Sequence, residues 1–165
     1  MGETSETVLR KAHRGDVDAI HSMILGIGEA TDQSSRISSD PIDFLRHGFG
    51  PAPLFEAVIA EREGRPVGLC LYFFTFSTWL GEPGIYVQDL FVDSAERGSG
   101  LGRRLLADVA RRGAERKATH LRLSVDSDNV DARAFYERIG MEHRHAEETM
   151  HLGGAAYTRL TETDA

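Results

Sequence analysis

The sequence predicts an α+β fold in which one mixed β-sheet of about seven strands is flanked by about four helices. Two observations predict it. Short apolar segments separated by Gly- and Pro-containing turns are typical of hairpins, and amphipathic helical segments connect strands in the second half. Hairpins produce antiparallel neighbours and helical crossings produce parallel ones, so a sheet that contains both is mixed. We expect residues 1–6 to be disordered and residues 7–162 to form a single domain.

The first half of the chain shows two helix signals between its first and second strands. Asp16 can cap a helix whose apolar residues recur every three or four positions, and Asp40 followed by Pro41 is a typical start of a short helix. Gly64 separates two segments rich in β-branched and aromatic residues, which is the pattern of a hairpin. The predicted elements are a strand over 8–12, helices over 16–30 and 40–46, and strands over 55–62 and 67–76.

The second half begins with a turn-rich loop over 78–84 and a central strand. A glycine-rich loop follows and opens an amphipathic helix. Gly140 suits the left-handed residue after a helix, and the pair Gly153-Gly154 suits a primed turn in a final hairpin. The predicted elements are a strand over 85–92, a helix over 101–116, a strand over 120–125, a helix over 129–139, and strands over 149–152 and 155–160.

Charge and cysteine content limit the function classes. With 19 Lys and Arg against 26 Asp and Glu, the net charge is −7, which argues against a nucleic-acid partner and suits a small cationic substrate. The one cysteine, Cys70, cannot form a disulfide within the chain and lies in an apolar strand, so we expect a reducing, cytoplasmic location and an unreactive thiol. No segment reaches the roughly 18 apolar residues that a membrane span needs, so we expect no membrane partner.

The loop after the central strand is the most informative motif. It reads QDLFVDSAERGSGLG, and three glycines in five residues before a helix leave backbone N–H groups able to hold a phosphate or pyrophosphate. No Walker loop is present, and a dinucleotide fingerprint fails because its third glycine position holds Arg103. A third pattern, R-x-x-G-x-G, is filled by Arg97, Gly100 and Gly102. The alternative without a ligand is a glycine-rich turn that caps an ordinary helix.

Several blocks resemble a known family over nearly the whole chain. R-x-x-G-x-G is the acyl-coenzyme A loop of the GNAT superfamily of N-acetyltransferases, and the block NVDARAFYERIG over 129–140 resembles that family's N-x-x-A-x-x-F-Y-x-x-x-G helix. Within the superfamily the chain is similar to the diamine (spermidine/spermine) N-acetyltransferase group. That likeness lies in DFLRHGFGPAPLF over 43–55 and in LYFFTFSTWLG over 71–81.

This resemblance implies that acetyl-CoA is the co-substrate. We also expect that no metal takes part. Backbone N–H groups of residues 98–103 would hold its pyrophosphate, and the strand backbone of residues 90–92 would bind its amide-rich arm. By resemblance, Tyr136 protonates the departing thiolate; the alternative for this tyrosine is core packing. The predicted cofactor-binding residues are Leu90, Phe91, Val92, Arg97, Gly98, Ser99, Gly100, Leu101, Gly102, Arg103, Asn129 and Tyr136.

On the amine side, the chain departs from the family. The family strand carries Glu-Asp where this chain has Gln88-Asp89, and a glutamine cannot take the proton that a charged amine must lose before it attacks. A water held by Gln88 or one of four carboxylates is left as the proton acceptor; these are Asp126, Asp128, Glu147 and Glu148. The predicted catalytic residues are Tyr136 and Gln88, and the predicted substrate-binding residues are Trp79, Gln88, Asp89 and Glu148.

The expected function is therefore acetyl transfer to the primary amine of a small cationic acceptor, a polyamine or a lysine-like compound. Acetylation of a protein N-terminus or lysine side chain stays open, as does a non-catalytic acyl-CoA-binding module. His143 and His145 would share a strand face, but neither they nor His151 show the spacing of a metal site. The resemblance also implies a homodimer, with the final hairpin near the contact.

Overall fold

The computed structural model describes residues 6–163, which contain a five-stranded sheet with the order β1-β2-β3-β4-β5. The strands are β1 (Val8–Lys11), β2 (Glu56–Arg62), β3 (Arg65–Ser77), β4 (Glu82–Val92) and β5 (His120–Leu123). The first four pair antiparallel and β4 pairs with β5 in parallel, so the mixed sheet is confirmed.

Five α-helices accompany the sheet within the described residues. They are α1 (Val17–Ala30), α2 (Pro41–Gly48), α3 (Leu101–Glu115), α4 (Val130–Arg138) and α5 (Gly154–Thr161). Asp40 caps α2 as predicted, since its side chain accepts from the N–H groups of Ile42 and Asp43. The chain divides into two compact units with a boundary between Asn129 and Val130.

The predicted numbers of seven strands and four helices are wrong because the final hairpin does not form. Residues 155–160 are helical in α5. Among them, Ala155 and Ala156 have the highest helix propensity and Thr158 is the one β-branched residue. Gly153 adopts an extended conformation before this helix instead of making a primed turn. Residues 141–150 are not a strand either, so His143 and His145 share no strand face.

Helices cover both faces of the sheet in the first unit. On one face, Ile20 and Met23 of α1 pack with Leu69 and Leu71 of β3, and all four are buried. On the other face α3 packs against β2, β3 and β4, and Gly68 of β3 allows this approach because a Cβ there would meet the Leu105 side chain. Each fully buried aliphatic side chain of this kind stabilises the fold by about 2 kcal/mol.

The predicted disordered N-terminus and the predicted single domain are not tested by the structure. Residues 1–5 of the N-terminal segment predicted to be disordered lie outside the described residues, and the prediction of a single domain stays a prediction. None of the helices between residues 6 and 163 is long and apolar enough to cross a membrane.

Candidate active site

The second half of β4 has a free backbone edge. β4 pairs with β3 up to Val92, but its pairing with β5 ends where Val87 lies opposite Leu123. Beyond that point no strand within residues 6–163 covers the β5 side of β4. Leu90, Phe91 and Val92, which were predicted to bind the arm of acetyl-CoA, lie on this edge. An unpaired strand edge can bind an amide-rich chain as if it were a further strand.

A β-bulge marks the start of the free edge. Tyr72 lies opposite Val87 and Leu71 lies opposite Asp89, so Gln88 is the extra residue in β4. Gln88 is exposed. A bulge bends its strand and changes where the side chains beside it point. Sequence reasoning found Gln88 and Asp89 but not the bulge that they form.

Asp89 is a carboxylate without a partner. It lies opposite the buried Leu71, on the sheet face that α1 covers, and it is half-buried. No hydrogen bond or ion pair from the described residues reaches its carboxylate. Burial therefore raises the pKa of Asp89 to about 6. At pH 7 the group is mostly ionised and able to take up a proton.

The other carboxylates considered from the sequence differ from Asp89. Asp126 accepts a hydrogen bond from Nε2 of Gln33 on the connection after α1, and the exposed Asp128 accepts one from Oγ of Ser127 at 3.3 Å. The two glutamates, Glu147 and Glu148, belong to the second unit together with Tyr136. Their predicted roles stay predictions.

Cys70 lies next to this strand and is fully buried. Burial, with the negative charges of Asp89 and Asp108 nearby, raises the pKa of its thiol well above the usual range. The thiol therefore stays protonated at neutral pH, which agrees with the unreactive cysteine expected from the sequence.

The glycine-rich loop presents a row of N–H groups. Gly98 and Gly100 have φ angles of +79° and +83°, in the left-handed region that favours glycine, and α3 begins immediately after them. The N–H of Ser99 donates to the carbonyl of Glu96, and the hydroxyl of Ser99 accepts from the N–H of Leu101 at 3.3 Å. Within residues 6–163 no partner reaches the N–H groups of four loop and helix residues, which are Gly98, Gly100, Gly102 and Arg103. N–H groups without partners at a helix N-terminus are of the kind that bind anions, and the pyrophosphate site at this loop stays a prediction.

The loop is anchored before any ligand arrives. Glu96 is buried and its carboxylate lies 2.7 Å from a guanidinium nitrogen of Arg62. Nε of Arg62 donates to Oγ1 of Thr7 at 3.1 Å, and Arg104 donates to the Thr7 carbonyl oxygen at 2.7 Å. The loop and the start of α3 are thus both tied to the chain just before β1. A loop held in one conformation loses less entropy when it binds an anion.

The arginines around α3 separate into two groups. Arg111 and Arg112 form ion pairs with Asp108 at 3.0 and 2.6 Å. Arg97 and Arg103 are exposed and have no ion pair within the described residues. Arg97 and Arg103 are therefore available to face an anionic ligand at the loop.

Trp79 lies far from Asp89 in the first unit. Its side chain is 97% exposed at the tip of the β3–β4 hairpin. Ser77, beside the tip, lies six positions along β3 from Leu71, which is opposite Asp89. At about 3.3 Å per residue, this separation is about 20 Å. Its predicted role in substrate binding stays a prediction, but the hairpin does not bring it to the bulge.

Asn129 directly precedes α4, and its N–H donates to the carbonyl of Asp126 at 2.9 Å. In the second unit, Tyr136 lies on α4 with its ring 5.1 Å from that of Phe135. The rings of His143 and His145 lie 3.9 Å apart. Among residues 6–163 no three His, Cys, Asp or Glu side chains are grouped so that they could hold a metal ion.

Comparison with known proteins finds a matching family, similar sequences and similar solved structures. A model described as the Acetyltransferase (GNAT) family matches residues 27–141. The thialysine N-epsilon-acetyltransferase of Bos taurus is 30% identical over 143 residues, which are 82% of this chain and 84% of that protein. The spermidine/spermine N(1)-acetyltransferase-like protein 1 of Homo sapiens is 28% identical over 151 residues, 87% of this chain and 22% of that protein. An integron cassette protein from the mobile metagenome of V. cholerae has a similar fold. Its solved structure has a TM-score of 0.79 and 18% identity, and the match covers 98% of this chain and 100% of that one.

Proposed function

The chain belongs to the acetyltransferase (GNAT) family, and we propose from this premise that it transfers the acetyl group of acetyl-CoA to a primary amine of a small cationic acceptor. The observation that carries the proposal is the combination, on one strand, of a free backbone edge and a partnerless carboxylate at its start. The relative named for thialysine, a lysine-like amine, supports this acceptor class.

The cofactor half of the site holds acetyl-CoA by backbone groups. The four unpartnered N–H groups of the loop and the first turn of α3 bind the pyrophosphate, with Arg97 and Arg103 adding positive charge at the rim. The edge of Leu90 to Val92 binds the arm, and one N–H there polarises the thioester carbonyl. A preorganised donor of this kind contributes a factor of about 10² to 10³ to the rate.

Acetyl transfer proceeds by direct attack. Asp89 takes a proton from the ammonium group, directly or through a water that Gln88 orients at the bulge. The amine lone pair then attacks the thioester carbon, the new C–N bond forms, and the C–S bond breaks with its electron pair leaving on sulfur. Tyr136 gives a proton to that thiolate, as the family resemblance implies, and the nitrogen of the new amide loses its second proton, which restores the phenol of Tyr136. We choose Asp89 over Asp126 and Asp128 because, among the carboxylates of residues 6–129, Asp89 alone is half-buried and has no hydrogen bond or ion pair.

Two further features belong to the proposal. We propose a homodimer, supported by the apolar side chains of Tyr157 and Leu160, which α5 leaves 59% and 61% exposed. The cytoplasmic location is proposed on the single cysteine alone. Sedimentation velocity of the purified chain tests the first of these, and a monomer at micromolar concentration would contradict it.

The test is an acceptor panel assayed by release of free CoA thiol. We expect turnover with lysine-like amines and diamines, and little with peptides or neutral amino acids. Asp89→Asn should lower kcat/KM by a factor of about 10² to 10⁴, and Tyr136→Phe should lower kcat, while both keep the wild-type affinity for acetyl-CoA in calorimetry. Absence of acetyl-CoA binding to the wild-type chain would overturn the proposal.

A further inference from the structure

Two aromatic rings lie beside Asp89 on the same face of the sheet. Phe73 and Tyr86 are opposite each other in the β3–β4 ladder, as are Leu71 and Asp89. Opposed residues of an antiparallel pair share a face, and Leu71 and Phe73 share one because they are two residues apart on β3. The ring pair therefore belongs to the face that carries the Asp89 carboxylate.

The close cover that α1 gives to this face ends at Leu71. Leu71 is only 4% exposed because α1 packs on it, whereas Phe73 and Tyr86 are half-buried. Their rings are stacked, with centroids 5.1 Å apart and planes 25° apart. The hydroxyl of Tyr86 hydrogen-bonds Oγ of Ser124 at 2.7 Å, which restricts rotation of its ring. A fixed aromatic surface thus continues from a partly covered carboxylate toward solvent.

The spacing of the two features matches a particular class of ligand. The ring pair and the Leu71–Asp89 pair are two residues apart on β3, a separation of about 7 Å. This is about the distance between the nitrogens of an extended diamine with four or five methylenes. An aromatic face attracts a cation through its quadrupole, and the methylenes of such a chain are apolar.

We propose that Phe73 and Tyr86 form a subsite for the second, non-reacting cation of the acceptor, and thereby make the enzyme selective for amines with two cationic groups about 7 Å apart. The proposal rests on the proposed function, since it assigns the reacting amine to Asp89. It adds a specificity determinant to that reaction, namely an aromatic wall that binds the second cation only when the two charges have this separation.

The experiment compares two acceptors of equal chain length, 1,5-diaminopentane and 1-aminopentane. We expect the wild type to prefer the diamine in kcat/KM, mainly through a lower KM. Phe73→Leu and Tyr86→Leu keep an apolar side chain but remove the aromatic face. Each should lower the preference for the diamine by about 3- to 30-fold while leaving kcat/KM for the monoamine near the wild-type value.

Matched variants separate this role from a structural one. Tyr86→Phe removes the bond to Ser124 but keeps the ring, so it should retain most of the preference. Phe76→Leu removes an exposed aromatic residue from the opposite face of the same strand, so it should leave kcat/KM unchanged for both acceptors. Acetyl-CoA affinity, measured by calorimetry, should be unchanged in every variant and reports on folding independently of turnover.

The outcomes are distinguishable. An unchanged ratio of the two acceptors in both leucine variants would overturn the subsite, as would a proportional loss with both acceptors. If the wild type turns over the monoamine and the diamine equally well, the aromatic wall has no selective role and the inference fails while the proposed function stands. If the wild type binds acetyl-CoA but acetylates no amine, the proposed function itself fails.

Discussion

Asp89→Asn should make the protein more stable at pH 8 while it removes most of the acetyl transfer. The folded state holds the proton of Asp89 more tightly than the unfolded state, because burial raises the pKa from 3.8 to about 6. The stability associated with this group is fully present below pH 3.8 and is lost as the pH rises through about 6. At 1.36 kcal/mol for each pH unit, the ionised carboxylate lowers the free energy of unfolding by about 3 kcal/mol at pH 8. Asparagine has nearly the same shape and never ionises, so the variant avoids this loss.

The assay is urea unfolding followed by far-UV circular dichroism at intervals between pH 4 and pH 8. Trp79 is a poor fluorescence probe because its side chain is already 97% exposed in the folded chain. We expect the variant to exceed the wild type by about 3 kcal/mol at pH 8, with the difference shrinking through pH 6 and vanishing near pH 4. Asp18→Asn is the matched control: its carboxylate is exposed in the first turn of α1, so loss of its charge should cost about 0.3–1 kcal/mol through the helix dipole and should give no gain in stability at pH 8.

Two results would contradict the assignment of a desolvated carboxylate to Asp89. If Asp89→Asn gives no gain at pH 8, the carboxylate is not desolvated in the folded chain, and its choice as the proton acceptor loses its physical basis. If the gain is the same at pH 4 and at pH 8, it arises from packing or from the unfolded state and not from ionisation. A gain in stability together with full activity would leave the electrostatic argument intact but remove Asp89 from the reaction.

Three further predictions concern the loop and the fold. Gly100→Ala places a side chain at a φ of +83° and should lower the free energy of unfolding by about 1–2 kcal/mol. It should also weaken acetyl-CoA binding at least tenfold in calorimetry. The control Gly64→Ala, at a φ of +74° in a distant turn, should lower the stability by the same amount and leave that affinity unchanged. Glu96→Gln weakens the ion pair with Arg62 and should lower both thermal stability and acetyl-CoA affinity; unchanged affinity would show that this anchor does not shape the loop. Asp16→Asn should destabilise the chain by about 2 kcal/mol at pH 7, because the hydrogen bonds from Arg10 lower the pKa of Asp16. The loss of stability should disappear as the pH falls well below 3.8, and urea titrations at pH 2.5 and pH 7 measure this difference.

Local sequence determined the elements whose signals are local. Asp40 and Pro41 start α2, and Gly98 and Gly100 adopt left-handed conformations before α3, because capping and φ preferences act within a few residues. The family, the mixed sheet and the position of the loop follow from such blocks. The prediction of a final hairpin was wrong because it rested on a local signal that is not decisive. A Gly-Gly pair permits a primed turn but does not require one, and the residues after it favour a helix.

Tertiary structure alone decided the chemistry of the site. The bulge at Gln88 is a matter of register between two strands, and register depends on how β3 and β4 pack as a whole. The pKa of Asp89 depends on which residues remove water from it, and those residues are distant in sequence. The same holds for hydrogen-bond partners: Asp126 and Asp89 are the same residue type, yet the fold brings Gln33 to Asp126, whereas no residue between 6 and 163 reaches the carboxylate of Asp89. Sequence names the groups that can react, but desolvation and partnering, which are properties of the folded chain, select among them.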